Sequence, residues 1–128
     1  MTNTEVFGML ILAFLALTFL HSGYEKIADW KETVTGLKEH FKATFLKNHV
    51  PAALGLLWIT EVIAGALCVV GIFQLISNGS TTIGHYGAVM SCITLLLMLF
   101  GQRLAKDYDG ARTIAIYYIP AILAVYWL

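Results

Sequence analysis

Residues 51–76 read PAALGLLWITEVIAGALCVVGIFQLI and residues 83–100 read IGHYGAVMSCITLLLMLF, two apolar runs separated by the short polar segment 77–82. Each run forms a helix long enough to cross a bilayer core of about 30 Å, at about 1.5 Å per residue. Between residues 48 and 102, Glu61 is the only Asp, Glu, Lys or Arg. The stretch therefore predicts a helical hairpin in a membrane, with one carboxyl group inside it.

The composition of the whole chain favours a single membrane domain over residues 1–128. Hydrophobic residues make up 59% of the 128 residues, charged residues only 12%, and the mean hydropathy is +0.76. These values are far more apolar than those of an ordinary soluble domain. The formal net charge is +0 and no nucleic-acid motif is present, so nothing in the sequence favours nucleic acid as a partner.

Two further spans are predicted outside the hairpin, over residues 6–24 and 111–128. The N-terminal run is preceded by no basic residue and followed by no clean small-x-small cleavage site, so we expect a transmembrane helix rather than a cleaved signal peptide. In the last run, Tyr126 and Trp127 suit the aromatic belt at a membrane interface. With the hairpin spans at 51–76 and 83–102, the chain has four predicted spans.

The segment from about 29 to 48 differs in character, because it is rich in lysines and acids. Its apolar residues recur at spacings of three and four, as in an amphipathic helix. They are Trp30, Val34, Leu37, Phe41 and Phe45. Such a helix is expected to lie in the membrane interface, the alternative being a soluble cap folded on the bundle. The predicted fold is all-α: an integral membrane four-helix bundle with an additional amphipathic interfacial helix between spans one and two.

All eight Lys and Arg residues lie in the two loops that join spans one to two and three to four. The positive-inside rule therefore predicts that both loops are cytoplasmic and both termini outside. Within these loops Lys26, Arg103 and Lys106 are candidates for docking on lipid headgroups or on a partner protein.

Depth along the predicted helices places a polar cluster around Glu61 in the cytoplasmic half of the bundle. Desolvation favours the neutral form of a buried carboxyl group, so Glu61 is the candidate for proton exchange and His21 its candidate partner. The candidate lining of the pocket consists of Trp58, Thr18, Thr94, Tyr117 and Tyr118. The alternative is that Glu61 makes only structural hydrogen bonds across helices.

Other chemistry has little support in the sequence. His85 lies near the outer end of its span, far in depth from His21, which argues against a haem held by both. Cys68 and Cys92 fall at similar depth but form no Cys-x-x-Cys motif, so packing is the favoured interpretation. No metal-ligand spacing, Ser/His/Asp signature, phosphate loop or flavin motif is present, so the sequence predicts no metal site and no autonomous catalytic activity.

Several short motifs stand in a recognisable order along the chain. They are Gly23-Tyr24-Glu25-Lys26-Ile27 after the first span, Pro51 at the start of the second, Glu61-x-x-x-Gly65 and Gly71 within it, and Phe100-Gly101-Gln102-Arg103-Leu104-Ala105-Lys106-Asp107-Tyr108 after the third. In these features, which cover nearly the whole chain, the sequence resembles the DoxX family of small four-span bacterial membrane proteins. The segment from Trp30 to His49 is longer than in the plainest family members.

The resemblance implies a place in the bacterial cytoplasmic (inner) membrane. The family is related to DoxD, the membrane subunit of thiosulfate:quinone oxidoreductase, and some members are associated with sulfur-transferase or thiol-stress systems. The resemblance to this family makes a quinone the candidate cofactor. The candidate partners are other subunits of a membrane complex or further copies of the chain. A redox subunit linked to a quinone or a sulfur compound is thus one hypothesis, with electrons supplied by a partner. A structural accessory subunit is the alternative, and a transporter is the weaker third, because four spans leave little room for alternating access.

Overall fold

The computed structural model describes residues 3–42, 48–104 and 106–128. In this part of the chain the secondary structure is entirely helical, which confirms the predicted all-α class. The helices are α1 (Asn3–Ala28), α2 (Trp30–His40), α3 (Val50–Asn78), α4 (Thr82–Leu104) and α5 (Tyr108–Trp127). Helix α3 packs between α1 and α4, α5 packs mainly on α4 and also touches α1, and α2 lies against α1 and α3.

Three of the described helices, α1, α3 and α4, are long and apolar enough to cross a membrane. Their outer faces carry large apolar side chains that the bundle leaves exposed, such as Leu10, Leu17 and Phe73 at 64% or more of their surface. Water disfavours such surfaces, whereas lipid accommodates them. The structure therefore indicates a membrane protein.

Helices α2 and α5 meet the sequence-based expectations less fully. Helix α5 has 20 residues but carries Asp109 and Arg112 near its start and tyrosines further on, and it is not among the three apolar helices. The fourth span, 111–128, stays a prediction. Helix α2 ends at His40, so it is shorter than the predicted segment of about 29–48, and none of its residues is buried. Phe45 of the predicted apolar stripe lies outside the described residues.

Close contact between α3 and α4 depends on glycine. A Cβ atom on Gly71 would lie 2.6 Å from the Gly84 Cα and 2.8 Å from its backbone N, and one on Gly87 would lie 2.9 Å from the Cys68 N. The two helices thus run antiparallel with their backbones nearly touching, as small residues allow in membrane bundles. This register buries Ser91 and Thr94 further along α4. The seam of small residues that the sequence shows on the third span is therefore a packing surface.

The helix ends are fixed by local hydrogen bonds. Helix α3 ends at Gly79, whose left-handed conformation (φ 72°) lets its N–H bond to the Leu75 carbonyl at 3.0 Å. The Gln74 Oε1 accepts a hydrogen bond from the Ile83 N–H at 3.0 Å, which ties the start of α4 to the end of α3. At the other side of the bundle, the Asp107 carboxylate accepts from the Gly110 N–H at 3.0 Å and caps α5.

Replacing Gly71 by Ala is expected to destabilise the bundle by about 1–3 kcal/mol, because the new methyl group meets backbone that cannot move without separating α3 from α4. Gly55→Ala in the same helix is the control, since its Cβ would meet only the end of the Trp30 ring at 4.0 Å. Denaturant unfolding of both variants in one detergent measures the difference. Equal stability of the two variants would show that the α3–α4 contact is looser than described.

Candidate functional site

Glu61, at the centre of α3, is fully buried and bonds to two side chains of α1. Its Oε1 accepts hydrogen bonds from the Lys26 Nζ at 3.1 Å and from the Ser22 Oγ at 3.2 Å. The Lys26 Nζ also donates to the Ser22 Oγ at 2.8 Å. Only 16% of the Lys26 side chain is exposed. The three side chains form a closed network that joins α1 to α3 inside the apolar bundle.

The network exists because α1 continues to Ala28, four residues beyond the predicted end of the first span. Ser22 and Lys26 then lie four residues apart, which is one turn of the same helix face. Close approach of α1 and α3 brings this face to Glu61: a Cβ on Gly65 would lie 2.7 Å from the Leu20 side chain. The Trp58 Nε1 donates to the Gly23 carbonyl at 3.0 Å and fixes the same register.

The second carboxylate oxygen of Glu61, Oε2, is buried and has no hydrogen-bond partner among the described residues. Leaving a buried polar atom unsatisfied costs about 1–3 kcal/mol, and more for a charged group. Natural proteins keep few such atoms, and each calls for an explanation such as a ligand or a catalytic role. Glu61 therefore has one carboxylate oxygen bonded to side chains of α1 and a second oxygen that is an unpaired hydrogen-bond acceptor.

Glu61 lines a cavity of about 560 Å³, named here the Glu61 cavity. Its polar lining consists of Thr18, His21, Ser22, Glu25 and Glu61, together with the hydroxyl-bearing ring of Tyr117. Its apolar lining consists of Phe14, Leu17, Phe19, Leu95, Met98 and Ile114. A cavity of this size and mixed lining is within the range of small-molecule sites, about 300–1,000 Å³.

Three of the predicted site residues lie on this cavity with Glu61. His21 pairs through its Nε2 with the Glu25 carboxylate, and both side chains are more than 60% exposed. The Thr18 hydroxyl donates to the Phe14 carbonyl at 2.8 Å. The Tyr117 ring lies against Phe14 with its centroid 6.2 Å away. His21 is thus a cavity residue near the surface, and its bonded partner is Glu25 rather than Glu61.

The other predicted pocket residues are not among those that line the Glu61 cavity. Trp58 is turned to the Gly23 carbonyl, and the Thr94 hydroxyl donates to the Met90 carbonyl at 2.9 Å. Tyr118 packs against the apolar core. Thr94 is satisfied within its own helix, because a Thr on a helix bonds readily to the carbonyl one turn earlier, whereas Trp58 is satisfied across helices by α1.

The predicted docking residues differ in their surroundings. Lys26 faces inward to Glu61, which sequence reasoning missed because the first span was ended before it. Arg103 and Lys106 are exposed, and the Arg103 guanidinium lies 5.7 Å from the centroid of the Tyr108 ring. The signal that pointed to Lys26 was available: an acid buried in a membrane span needs a cation, and Lys26 is one turn from the end of the predicted span.

A second cavity, of about 360 Å³ and named here the α2 cavity, lies where α2 meets the bundle. Lys26, Met98 and Gln102 are among its lining residues, with apolar side chains of α2, α3 and α4 making up most of the rest. The end of α2 is held beside it, because the His40 Nε2 lies 3.2 Å from the Gln102 Oε1 and 3.7 Å from the Asp107 Oδ2.

The remaining chemical groups of interest are separate from these cavities. Cys68 and Cys92 are both free and buried, and the Cys68 Sγ lies 3.9 Å from the Ser91 Oγ. The His85 Nδ1 is buried without a hydrogen-bond partner in the described chain. Within residues 3–42, 48–104 and 106–128, no group of three His, Cys, Asp or Glu side chains is placed to hold a metal ion.

Comparisons of the chain with protein-family models, with curated proteins and with solved structures gave no match. The function is therefore argued from the residues and their geometry.

Replacing Lys26 by Met is expected to destabilise the protein by about 3–5 kcal/mol, because it leaves the buried Glu61 carboxylate without its cation. The double variant Lys26→Met/Glu61→Gln should recover part of this loss, since the amide carries no charge. Lys31→Met, at an exposed position of α2, is the control. Unfolding in detergent measures all of these variants. Additive effects of the two single substitutions would mean that Lys26 and Glu61 do not interact.

Proposed function

We propose that the protein is a DoxX-like subunit of a membrane redox complex, which binds the polar head of a quinone or a small sulfur compound in the Glu61 cavity. The observation that carries the proposal is the Glu61 Oε2, a buried acceptor without a partner among the described residues, on a carboxylate that lines a cavity. An ionisable group at membrane depth is expensive and normally serves a function. A ligand hydroxyl or amine that donates to Oε2 would satisfy it.

The proposed role of Glu61 is proton exchange with the bound ligand. Reduction of a quinone to a quinol takes up two electrons and two protons, and a protonated Glu61 can donate one of these protons to a carbonyl oxygen. Lys26 and Ser22 hold the carboxyl group through Oε1, so Oε2 stays in one position for this transfer. The electrons come from a partner subunit.

Proton supply to the cavity is assigned to His21 and Glu25. They form an exposed pair on the lining of the Glu61 cavity, so they contact both the outside and the cavity. Histidine changes charge near neutral pH and is suited to relay protons. This keeps His21 as a functional partner of Glu61, acting through the cavity rather than by a direct bond.

The proposal includes a membrane arrangement with four spans. In this arrangement α5, which packs on α4 and α1, is the fourth span. Helix α2 lies in the cytoplasmic interface, and both termini lie on the outer side of the bacterial inner membrane. Its support is the charge count, since all eight Lys and Arg residues fall on the side of the two predicted cytoplasmic loops. The exposed Arg103 and Lys106 on this side would meet lipid headgroups, partner subunits or a second copy of the chain.

A second candidate is a structural accessory subunit, in which Glu61 only ties helices together. The network of Glu61, Lys26 and Ser22 favours it, because the ion pair between α1 and α3 fixes their register without any ligand. Buried ionic groups serve such specificity in some proteins.

Glu61→Gln separates the two candidates, because the amide keeps the shape of the carboxyl group and one oxygen that can accept from Lys26 and Ser22, but carries no acid proton. The redox proposal predicts that quinone-linked electron transfer by membranes containing the variant falls by about 100-fold or more, measured per folded and assembled copy of the protein. Glu39→Gln, on the exposed face of α2, is the matched control. Unchanged turnover in Glu61→Gln would contradict the proton role.

Glu61→Leu tests the structural candidate with the same membranes. Loss of the polar tie should lower bundle stability or detach the partner, which unfolding in detergent and recovery of the complex both measure. Normal stability together with normal recovery of the complex would contradict the structural candidate.

A further inference from the structure

The α2 cavity lies between the first turns of α3 and the last turns of α4. Near the short connection that joins these helices, Gly71 and Gly87 let the two backbones meet. The same antiparallel register brings Leu57 level with Met98 at the other end of the hairpin, where larger side chains stand in place of the glycines. Both residues line the α2 cavity, so this end of the hairpin borders open space.

The lining of this cavity offers little to water. The polar members of its described lining are Lys26, Thr33 and Gln102. The Lys26 Nζ is already bonded to the Glu61 carboxylate, and the Gln102 Oε1 lies 3.2 Å from the His40 Nε2. A buried water needs about 2–4 polar partners, and empty apolar volume destabilises a protein in proportion to its size. The α2 cavity therefore suits an apolar occupant.

The cavity opens on the outer surface of the bundle, between α3 and α4. Leu56, Leu97 and Phe100 line it and are also among the large apolar side chains that the bundle leaves exposed. Both helices are long and apolar enough to cross a membrane, so this surface is the one that meets lipid. Hydrocarbon from the bilayer thus reaches the cavity directly.

A cation stands beside this opening, nearer the end of α4. Arg103 follows Phe100 by three residues, so the two are neighbours on the helix surface and Arg103 lies about 4.5 Å further along the axis. Its side chain is exposed, and its guanidinium lies 5.7 Å from the centroid of the Tyr108 ring. Arginine binds phosphate oxygens through two parallel N–H donors. The apolar space and the phosphate-binding group thus follow each other in the order of a lipid's chain and head.

We propose that the α2 cavity binds one phospholipid of the cytoplasmic leaflet, with an acyl chain between α3 and α4 and its phosphate on Arg103. The inference rests on the membrane arrangement proposed above, in which α2 and these helix ends lie at the cytoplasmic interface. The head then lies at the interface and the chain points into the bilayer, as in the surrounding lipid. Leu37 and Phe41 line the cavity from the side of α2 and cover the chain.

Native mass spectrometry of the purified protein in detergent, titrated with dioleoylphosphatidylglycerol, tests the site. Ala53 lines the cavity, so Ala53→Phe fills space that the acyl chain would occupy. We expect the unchanged protein to hold one such lipid and Ala53→Phe to bind it about tenfold more weakly, since a few buried methylene groups carry that much free energy. Ala52→Phe, at an exposed position outside the lining, is the matched control. Equal affinities of the two variants would overturn the acyl-chain site.

The phosphate contact is tested with Arg103→Gln, which should weaken binding of the same lipid about tenfold because it removes a hydrogen bond from a charged group. Arg112→Gln is the matched control, since Arg112 is exposed and bonded to Asp109. Equal affinities of these two variants would overturn the contact at Arg103. An excess of glycerol 3-phosphate should not displace the lipid, because it has no acyl chain. Displacement would overturn the lipid site in favour of a site for free phosphate.

A separate measurement tests the membrane arrangement on which the choice of leaflet rests. Lys38→Cys places a thiol at an exposed position of α2, whereas Cys68 and Cys92 are buried. A membrane-impermeant maleimide should label this thiol in permeabilised spheroplasts and not in intact ones. Labelling in intact spheroplasts would overturn the cytoplasmic leaflet and the membrane arrangement together, while lipid binding in detergent reports on the cavity alone.

Discussion

The ion pair between Lys26 and Glu61 is the interaction on which the rest of the structure depends. It places two charges inside an apolar bundle, where each alone would be strongly unfavourable, and so requires α1 and α3 to meet in one register. Gly65 permits the approach of α1, and the contact of Gly71 with Gly84 sets α4 against the other face of α3. The cavities lie on either side of this pair. A shift of either helix by one turn would break the ion pair and leave a buried charge unpaired. It would also remove both cavities.

Much of the fold follows from the sequence because long apolar runs have few stable alternatives to helices in a membrane. The hairpin was predictable in this way, and so was the central place of Glu61 as the sole charged residue of the hairpin. The residue at which α1 ends was not predictable in this way. Gly23 and the charged residues after it are typical of a helix end, yet tertiary contacts carry the helix on to Ala28. That difference of one turn placed Lys26 outside the predicted span and so hid its pairing with Glu61. Depth alone also cannot tell which polar side chains bond to a backbone carbonyl, as those of Trp58 and Thr94 do.

The arrangement is compatible with the proposed role of this small bundle, which has no cofactor motif of its own, in a redox complex. One oxygen of Glu61 is fixed by α1, which gives the carboxyl group a defined position, and the other is buried without a hydrogen-bond partner among the described residues. Such preorganisation by neighbouring side chains is what a proton-transfer site requires. Lys26 lines the α2 cavity and bonds to Glu61, which lines the Glu61 cavity, so the ion pair connects the linings of the two cavities. The same connection makes the network structural as well as functional.

The central claim is that the Glu61 site holds a ligand in the native membrane. The most direct measurement is mass spectrometry of the small molecules and proteins that are recovered with the tagged protein, purified from that membrane in mild detergent, beside the Glu61→Gln variant. The account predicts a quinone or a small sulfur compound with the unchanged protein, depleted in the variant, together with a redox partner. Recovery of the unchanged protein within a large complex, with no such molecule bound, would contradict it and leave the Lys26–Glu61 pair as a packing device.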